Sequence, residues 1–253
     1  MKKIKLKKEN TAAFDVDVQY GFTPNCPNEL PVPGGNEIVD ECLKTHKMTK
    51  FKIMSKDAHP PKGKWVATDE KPVFSEVGLP NVDIRWPNHC VVGTKGFELL
   101  EGLPHPSEYD FIVYKGVETD MHPYSPIYHD LQKKISTGVI EFGKINQINN
   151  FILNGLALDY CLKEAAIDLA EYFNVYVNMS GTRGVNDETS IKAIKEMKEA
   201  GVIFIDSLDE IIIDNDNNVI NKNFSTKGSV SKNSATGKFV PNVKKTLGNG
   251  TEY

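Results

Sequence analysis

The sequence of 253 residues has little arginine, little cysteine and no long apolar run. Arg85 and Arg183 are its only arginines and the formal net charge is -4, so the chain is not built to coat nucleic acid or an anionic membrane. No stretch approaches the roughly 18 apolar residues of a transmembrane helix, and no apolar segment follows the basic first residues, as a secretory signal would require. These absences predict a cytoplasmic protein without nucleic-acid or membrane partners.

The four cysteines are too few and too scattered for a disulfide framework. Cys26, Cys42, Cys90 and Cys161 include no CxxC pair, and such spacing in a chain of this length fits a reducing compartment. By contrast, hydrophobic residues make up 40% of the sequence and include 12 Phe and 9 Tyr, which is enough to build one sizeable core. The length allows between one and two domains.

Alternating strand and helix patterns predict the fold class. Short apolar runs predict strands at residues 11–18, 51–54, 109–114, 150–156, 175–179 and 202–205. Helical spacing of apolar residues predicts helices at 36–47, 159–173 and 187–199. Repeated strand–helix–strand units favour a parallel sheet covered on both faces, and ligands in such sheets bind beyond the carboxyl ends of the strands.

Two segments depart from this alternation. Residues 60–106 are rich in Pro, Gly and charge without periodicity, and connections of that length usually carry function or are disordered. Residues 214–253 are rich in Asn, Lys, Ser, Thr and Gly. We therefore expect one α/β domain over residues 1–213, followed by an irregular C-terminal appendage over 214–253.

Reactive side chains recur where the predicted strands end. Asp17 lies at the end of the first predicted strand, Asp57 with His59 and then Lys115 follow the second and third, and Cys161 lies at the start of the helix after the fourth. Because the carboxyl ends of parallel strands meet at one edge, we expect these groups to lie close together. Asp17 needs a partner if its strand is buried, and Lys115 is the natural one, although the pair could equally be an ordinary structural ion pair.

A cation site is one interpretation of the two histidines. Asp57 and His59 are two residues apart, so an extended backbone would project both side chains from the same face. His89 could supply a third ligand, and two histidines with one carboxylate leave positions open for water or substrate, as catalytic metal sites do. The alternative is two unrelated surface histidines, because the Asp-x-His pattern is short and common.

Cys161 is placed at the start of a predicted helix. Free N–H groups and the helix dipole at that position would lower the pKa of the thiol and could stabilise an oxyanion. The alternative is a small buried apolar side chain on a core helix, which is the usual role of a single cysteine.

Five segments, taken in order, resemble the nicotinamidases of the isochorismatase-like cysteine hydrolase superfamily. They are FDVDVQYGF at 14–22, KDAHP at 56–60, WPNHCVVGT at 86–94, YKG at 114–116 and GLALDYC at 155–161. The resemblance extends over about residues 11–205. It implies a three-layer, Rossmann-like fold whose six-stranded, mostly parallel sheet has helices on both faces. It also implies hydrolysis of nicotinamide to nicotinate and ammonia, as part of NAD salvage.

The same resemblance implies roles for individual residues. Asp17, Lys115 and Cys161 would form the catalytic triad, with a thioester forming on the cysteine. A cis peptide at Leu156–Ala157 would direct the N–H groups of Ala157 and Cys161 at the oxyanion. The aromatic walls of the nicotinamide pocket would be Phe22, Trp86 and Tyr124.

A metal site follows from the resemblance as well. Asp57, His59 and His89 would hold one divalent ion, with zinc as the first expectation and iron or manganese as alternatives, so that the segment 57–106 bears the metal. Some relatives supply a fourth ligand between the two histidines, for which the candidates here are Asp69, Glu70 and Glu76. The expected partner is a small molecule, either nicotinamide or a pyrazinamide-like analogue, and assembly into a homo-oligomer is left open.

Two other functions remain compatible with the residues. One is an amidohydrolase of the same superfamily that acts on a carbamoyl or ureido amide without a metal, and it would not need Asp57, His59 and His89. The other is a non-catalytic, doubly wound binding module. The intact triad counts against that module, and so does the lack of a Gly-rich phosphate loop after the first strand.

Overall fold

The computed structural model describes residues 3–214. The strands are β1 (Ile4–Lys7), β2 (Thr11–Val16), β3 (Phe51–Asp57), β4 (Glu76–Leu79), β5 (Val82–Ile84), β6 (Phe111–Lys115), β7 (Asn150–Leu156), β8 (Asn174–Arg183), β9 (Ile203–Ile205) and β10 (Ile211–Asp214). The α-helices are α1 (Val39–Met48), α2 (Val139–Ile145), α3 (Cys161–Ala170) and α4 (Asp187–Glu199). The predicted appendage, beyond its first residue, lies outside the described residues, and the domain limits stay a prediction.

A six-stranded sheet of order β6-β3-β2-β7-β8-β9 forms the centre of this fold, and every neighbouring pair in it is parallel. The central strands β2 and β7 are buried at every residue, which explains why apolar residues predominate in their sequences. The predicted parallel α/β class is therefore confirmed, and the sheet is parallel throughout where a mostly parallel one was expected.

Alternate residues of β2 point to opposite faces of the sheet and meet different helices. Phe14 and Val16 pack in one core with apolar residues of α2, α3 and α4. Asp15 faces the other side, where it accepts hydrogen bonds from His46 Nε2 of α1 at 2.6 Å and from the Tyr109 hydroxyl at 2.9 Å. Helices thus lie on both faces, which gives the predicted three layers, and Asp15 is held away from the edge where Asp17 lies.

Five of these helices and strands were not predicted from the sequence. The short helix α2 and the β4–β5 hairpin lie in segments without clear periodicity. Strands β1 and β10 pair in parallel, from Ile4 opposite Ile211 to Lys7 opposite Asp214, and cover apolar residues of the sheet. None of the helices within residues 3–214 has the length and apolar character needed to cross a membrane.

Candidate active site

The reactive residues meet at the carboxyl edge of the sheet, as their positions in the sequence predict. Asp57 and Lys115 are the last residues of β3 and β6 and are paired in register. Strand β2 ends at Val16. Asp17 is the next residue, and its backbone has a positive φ of 50°. Asp17 is therefore turned out of the sheet and is held by its N–H group, which donates to the Ser55 carbonyl at 3.2 Å.

The Lys115 ammonium group is the centre of the arrangement. Its Nζ lies 3.1 Å from Asp17 Oδ2 and 3.5 Å from Cys161 Sγ, and it donates a hydrogen bond to Asp57 Oδ1. It also donates to the Pro123 carbonyl at 3.3 Å. The lysine is only 1% exposed, and a buried charge is tolerated only when it is paired in this way. One cation thus joins two carboxylates and a thiol.

Burial dominates the electrostatics of the Asp17–Cys161 pair. Burial raises the pKa of Asp17 to about 6, although Lys115 and a 2.7 Å hydrogen bond from the Ser55 hydroxyl act in the opposite direction. Burial likewise raises the pKa of the Cys161 thiol well above its ordinary value, against the effect of Lys115. The expectation that the helix N-terminus would lower the pKa of this thiol is wrong, because desolvation of the buried thiolate is the largest influence on that pKa and raises it. Nucleophilic attack therefore needs a base, and Asp17 is in place to act as one.

The residues predicted for the oxyanion hole border the thiol. The Leu156–Ala157 peptide bond is cis, and Cys161 is the first residue of α3, where an N–H group has no intrahelical acceptor. The Ala157 carbonyl accepts from the N–H groups of Tyr160 and Leu162 at 3.1 and 3.2 Å, which fixes the turn into the helix.

A pocket lined by aromatic side chains adjoins the thiol. The three predicted wall residues, Phe22, Trp86 and Tyr124, all line it. Trp86 Nε1 donates to the Tyr124 hydroxyl at 3.1 Å, and that hydroxyl donates to Asp83 Oδ1 at 2.8 Å. Tyr160 also lines the pocket and meets the Trp86 ring edge-on, with 4.9 Å between ring centroids. It was missed, although its place next to Cys161 was a usable signal.

The predicted metal ligands lie together beside this pocket. Asp57 Oδ2 lies 3.4 Å from His59 Nε2 and 3.7 Å from His89 Nε2. The other ring nitrogen of each histidine is occupied, because His59 Nδ1 donates to the Gly116 carbonyl at 3.0 Å and His89 Nδ1 donates to the Pro87 carbonyl at 2.6 Å. Carbonyl groups at Nδ1 leave Nε2 unprotonated and directed at the shared space, which is how metal-binding histidines are usually oriented. The residues therefore fit a divalent cation.

A third imidazole, His122, completes this cluster and was missed from the sequence. The ring nitrogens that His59, His89 and His122 offer all lie within 4.8 Å of one another. Burial lowers the pKa of both His89 and His122, so the neutral, coordinating form is favoured. The sequence feature that could have identified His122 as a site residue is its position two residues before Tyr124, on the connection that follows Lys115.

The proposed candidates for a fourth ligand do not reach the cluster. All three are exposed, and none belongs to a metal-binding group within the described part of the chain; they are Asp69, Glu70 and Glu76. The segment between the two histidines carries the β4–β5 hairpin, and a fourth ligand from that segment stays an untested expectation.

Comparisons with known proteins agree with this geometry. No protein-family model matches the chain. The nicotinamidase of Acinetobacter baylyi is 30% identical over 213 residues, which cover 82% of this chain and 98% of that protein. Among solved structures, a nicotinamidase/pyrazinamidase of Acinetobacter baumanii has a TM-score of 0.71 at 26% identity, covering 78% of this chain and 96% of its own. The pyrazinamidase of Pyrococcus horikoshii in complex with zinc has a TM-score of 0.62 at 27% identity, covering 78% and 98%. Identity and coverage of this extent show that the chain belongs to the nicotinamidase family of isochorismatase-like hydrolases.

Proposed function

We propose that this chain hydrolyses nicotinamide to nicotinate and ammonia through a thioester on Cys161, as a step of NAD salvage. The observation that carries the proposal is the buried Lys115 ammonium, which lies 3.1 Å from Asp17 and 3.5 Å from the thiol beside an aromatic pocket. The nicotinamidase relatives, which match nearly their whole length, support this substrate.

In the first half of the reaction, Asp17 takes the proton of the Cys161 thiol as Sγ attacks the amide carbonyl carbon. Lys115 stabilises the negative charge on sulfur, and the N–H groups of Ala157 and Cys161 stabilise the oxyanion of the tetrahedral intermediate. When the intermediate collapses, Asp17 returns its proton to the leaving nitrogen. Ammonia departs and the acyl group stays on sulfur as a thioester.

In the second half, the same carboxylate activates water. Asp17 takes a proton from a water molecule whose oxygen attacks the thioester carbonyl carbon, and the carbon–sulfur bond then breaks. The proton held by Asp17 returns to sulfur, and the product carboxylic acid loses its remaining proton to solvent and leaves as nicotinate. The raised pKa of Asp17, about 6, suits a group that must take and release a proton in each half-reaction.

The pocket and the histidine cluster have separate tasks in this proposal. Phe22, Trp86 and Tyr124 hold the pyridine ring by its faces and exclude water. Asp57, His59 and His89 would hold a divalent ion, with zinc favoured by the zinc-bound relative and by ligands of two imidazoles and one carboxylate. When bound, that ion supplies a Lewis-acid contact for the pyridine nitrogen and so fixes the orientation of the ring.

The two alternative functions account for less of the site. A metal-free hydrolase of carbamoyl or ureido amides gives no reason for the buried histidines around Asp57. A non-catalytic binding module gives no reason for a lysine buried between a carboxylate and a thiol. The nicotinamidase relatives support neither alternative.

The test is ammonia release from nicotinamide by the wild type, Cys161→Ala and Cys26→Ala, with bound metal measured on the same preparations. Cys26 is a half-buried thiol away from the pocket, so Cys26→Ala controls for the loss of a cysteine. We expect full activity in the control and a loss of at least about 1,000-fold in Cys161→Ala, because the nucleophile is removed. A wild type that carries metal but releases no ammonia would contradict the substrate, and an active Cys161→Ala would contradict the thioester.

A further inference from the structure

His122 is buried in a way that packing does not explain. The residue is only 4% exposed to solvent, and neither nitrogen of its imidazole ring has a hydrogen-bond partner among the described residues. A neutral imidazole carries one donor and one acceptor, and leaving both unpaired in the interior is unfavourable. A phenyl ring would fill the same space without that cost, so the nitrogen atoms need a partner that protein atoms do not supply.

The surroundings of the ring narrow that partner down. His122 stacks on His59 at 5.0 Å between ring centroids and lies 5.6 Å from His89. Trp65 and Tyr124 close the other sides, at 4.6 and 5.5 Å. One ring nitrogen from each of the three histidines lies within 4.8 Å of the other two, so a cation shared by the three rings is the partner that fits.

The backbone holds His122 in this position from two sides. Its N–H group donates to the Asn81 carbonyl at 2.9 Å, in the turn between β4 and β5. The next residue, Pro123, accepts from Lys115 Nζ at 3.3 Å. The histidine is therefore anchored to the outer hairpin and to the ammonium group at the centre of the site, as a preorganised ligand must be.

We propose that His122 is a fourth protein ligand, so that three imidazoles and the Asp57 carboxylate hold the metal. The proposal rests on the proposed function, in which Asp57, His59 and His89 bind a divalent ion, and it extends that set by a residue from a different connection. Imidazole nitrogen suits zinc and iron, whereas manganese prefers oxygen ligands. The fourth ligand therefore also shifts the metal preference of the site away from manganese.

The test compares the wild type, His122→Phe and His129→Phe as full-length, metal-stripped proteins. Zn²⁺ and Mn²⁺ affinities are measured by competition with a chromogenic chelator. His122→Phe keeps an aromatic ring at this position and removes only the nitrogens, while His129→Phe makes the same change at a histidine outside the cluster. We expect His122→Phe to bind Zn²⁺ at least about 100-fold more weakly, since even residues that only orient a ligand change affinity by 10–100-fold. Its Mn²⁺ affinity should fall less, and the control should match the wild type.

Equal Zn²⁺ affinity in folded His122→Phe and wild type would overturn the proposal. If His122→Phe does not fold, X-ray absorption of the Zn²⁺-loaded wild type decides, because three imidazole ligands are expected and two would refute the fourth ligand. A wild type that binds no metal would contradict both this inference and the metal role in the proposed function. A wild type that binds Zn²⁺ and releases ammonia, beside a variant that binds as tightly, would contradict this inference alone.

Discussion

The titration of Asp17 should set the acid side of the pH–rate profile. In the proposed mechanism Asp17 must be deprotonated to take the thiol proton, so we expect activity above its pKa and a loss of activity as the pH falls through it. With a pKa of about 6 in place of 3.8, the carboxylate form at pH 5 amounts to about 9% of molecules, against about 94% for an unperturbed group. We therefore expect kcat/KM at pH 5 to be about one tenth of its plateau value.

Substitution of Ser55 should shift the acid limb of the pH–rate profile, because the Ser55 hydroxyl affects the pKa of Asp17. The hydroxyl donates to Asp17 Oδ1 at 2.7 Å and so favours the charged form. Hydrogen bonds to charged groups contribute about 1.5–3 kcal/mol, which corresponds to about one to two pKa units. Ser55→Ala should therefore move the acid limb of kcat/KM upwards, to a midpoint near or above pH 7, while Ser190→Ala, which changes a hydroxyl on the distant α4, should leave it in place.

The assay is initial-rate ammonia release from nicotinamide between pH 4 and 9 at substrate concentrations below KM, because kcat/KM reports the ionisation of the free enzyme. Intactness of each protein at the extremes is checked by returning samples to pH 7.5. A wild-type midpoint near pH 4 would refute the assignment of a raised pKa to the catalytic base. A limb that does not move in Ser55→Ala would refute Asp17 as the group that titrates.

Three further predictions concern the supports of the site. Lys115→Met should abolish ammonia release and lower the free energy of unfolding in urea by about 3–5 kcal/mol, because two buried carboxylates lose their cation; a stable variant would contradict this. Gly116→Ala should weaken Zn²⁺ binding about 10–100-fold, because a Cβ there lies 2.7 Å from His59 Nδ1 at a φ of +67°; calorimetric titration measures it. Tyr124→Phe should raise KM several-fold with little change in kcat, since the ring stays while the acceptor for Trp86 is lost; a collapse of kcat would contradict a binding role.

The elements that could be predicted from the sequence are those whose signals are local. The predicted limits of strand β7 agree with the observed ones, because all seven of its residues are buried and apolar residues dominate the run. Helix α4 was also predicted at 187–199, since Asn186 caps it by accepting from the Glu188 N–H at 2.8 Å and Gly201 follows its end at a φ of 88°. Helix capping and strand burial are both visible in short stretches of sequence, because they depend on residues that are close together in the chain.

The features that could not be predicted depend on residues far apart in the chain. Strand β1 has four residues and pairs with β10 some 200 positions later, and a pairing at that separation leaves no signal within either short segment. His122 lies in an irregular connection, and only the folded loop brings it to His59. The raised pKa of Cys161 follows from the depth of its burial, which the helix position alone does not reveal.

The residues proposed for the reaction and those proposed to contact the substrate lie on different parts of the fold. Asp57 and Lys115 end sheet strands and Cys161 begins a core helix, so their relative positions are fixed by strand register and by the packing of the core. Phe22, Trp86 and Tyr124 lie instead on the segments that connect these elements. A connection can change in length or composition without disturbing the sheet. Descendants of such a chain can therefore acquire a differently shaped binding cavity while keeping the residues of the proposed thioester chemistry, and a designer could exchange the connections for the same purpose.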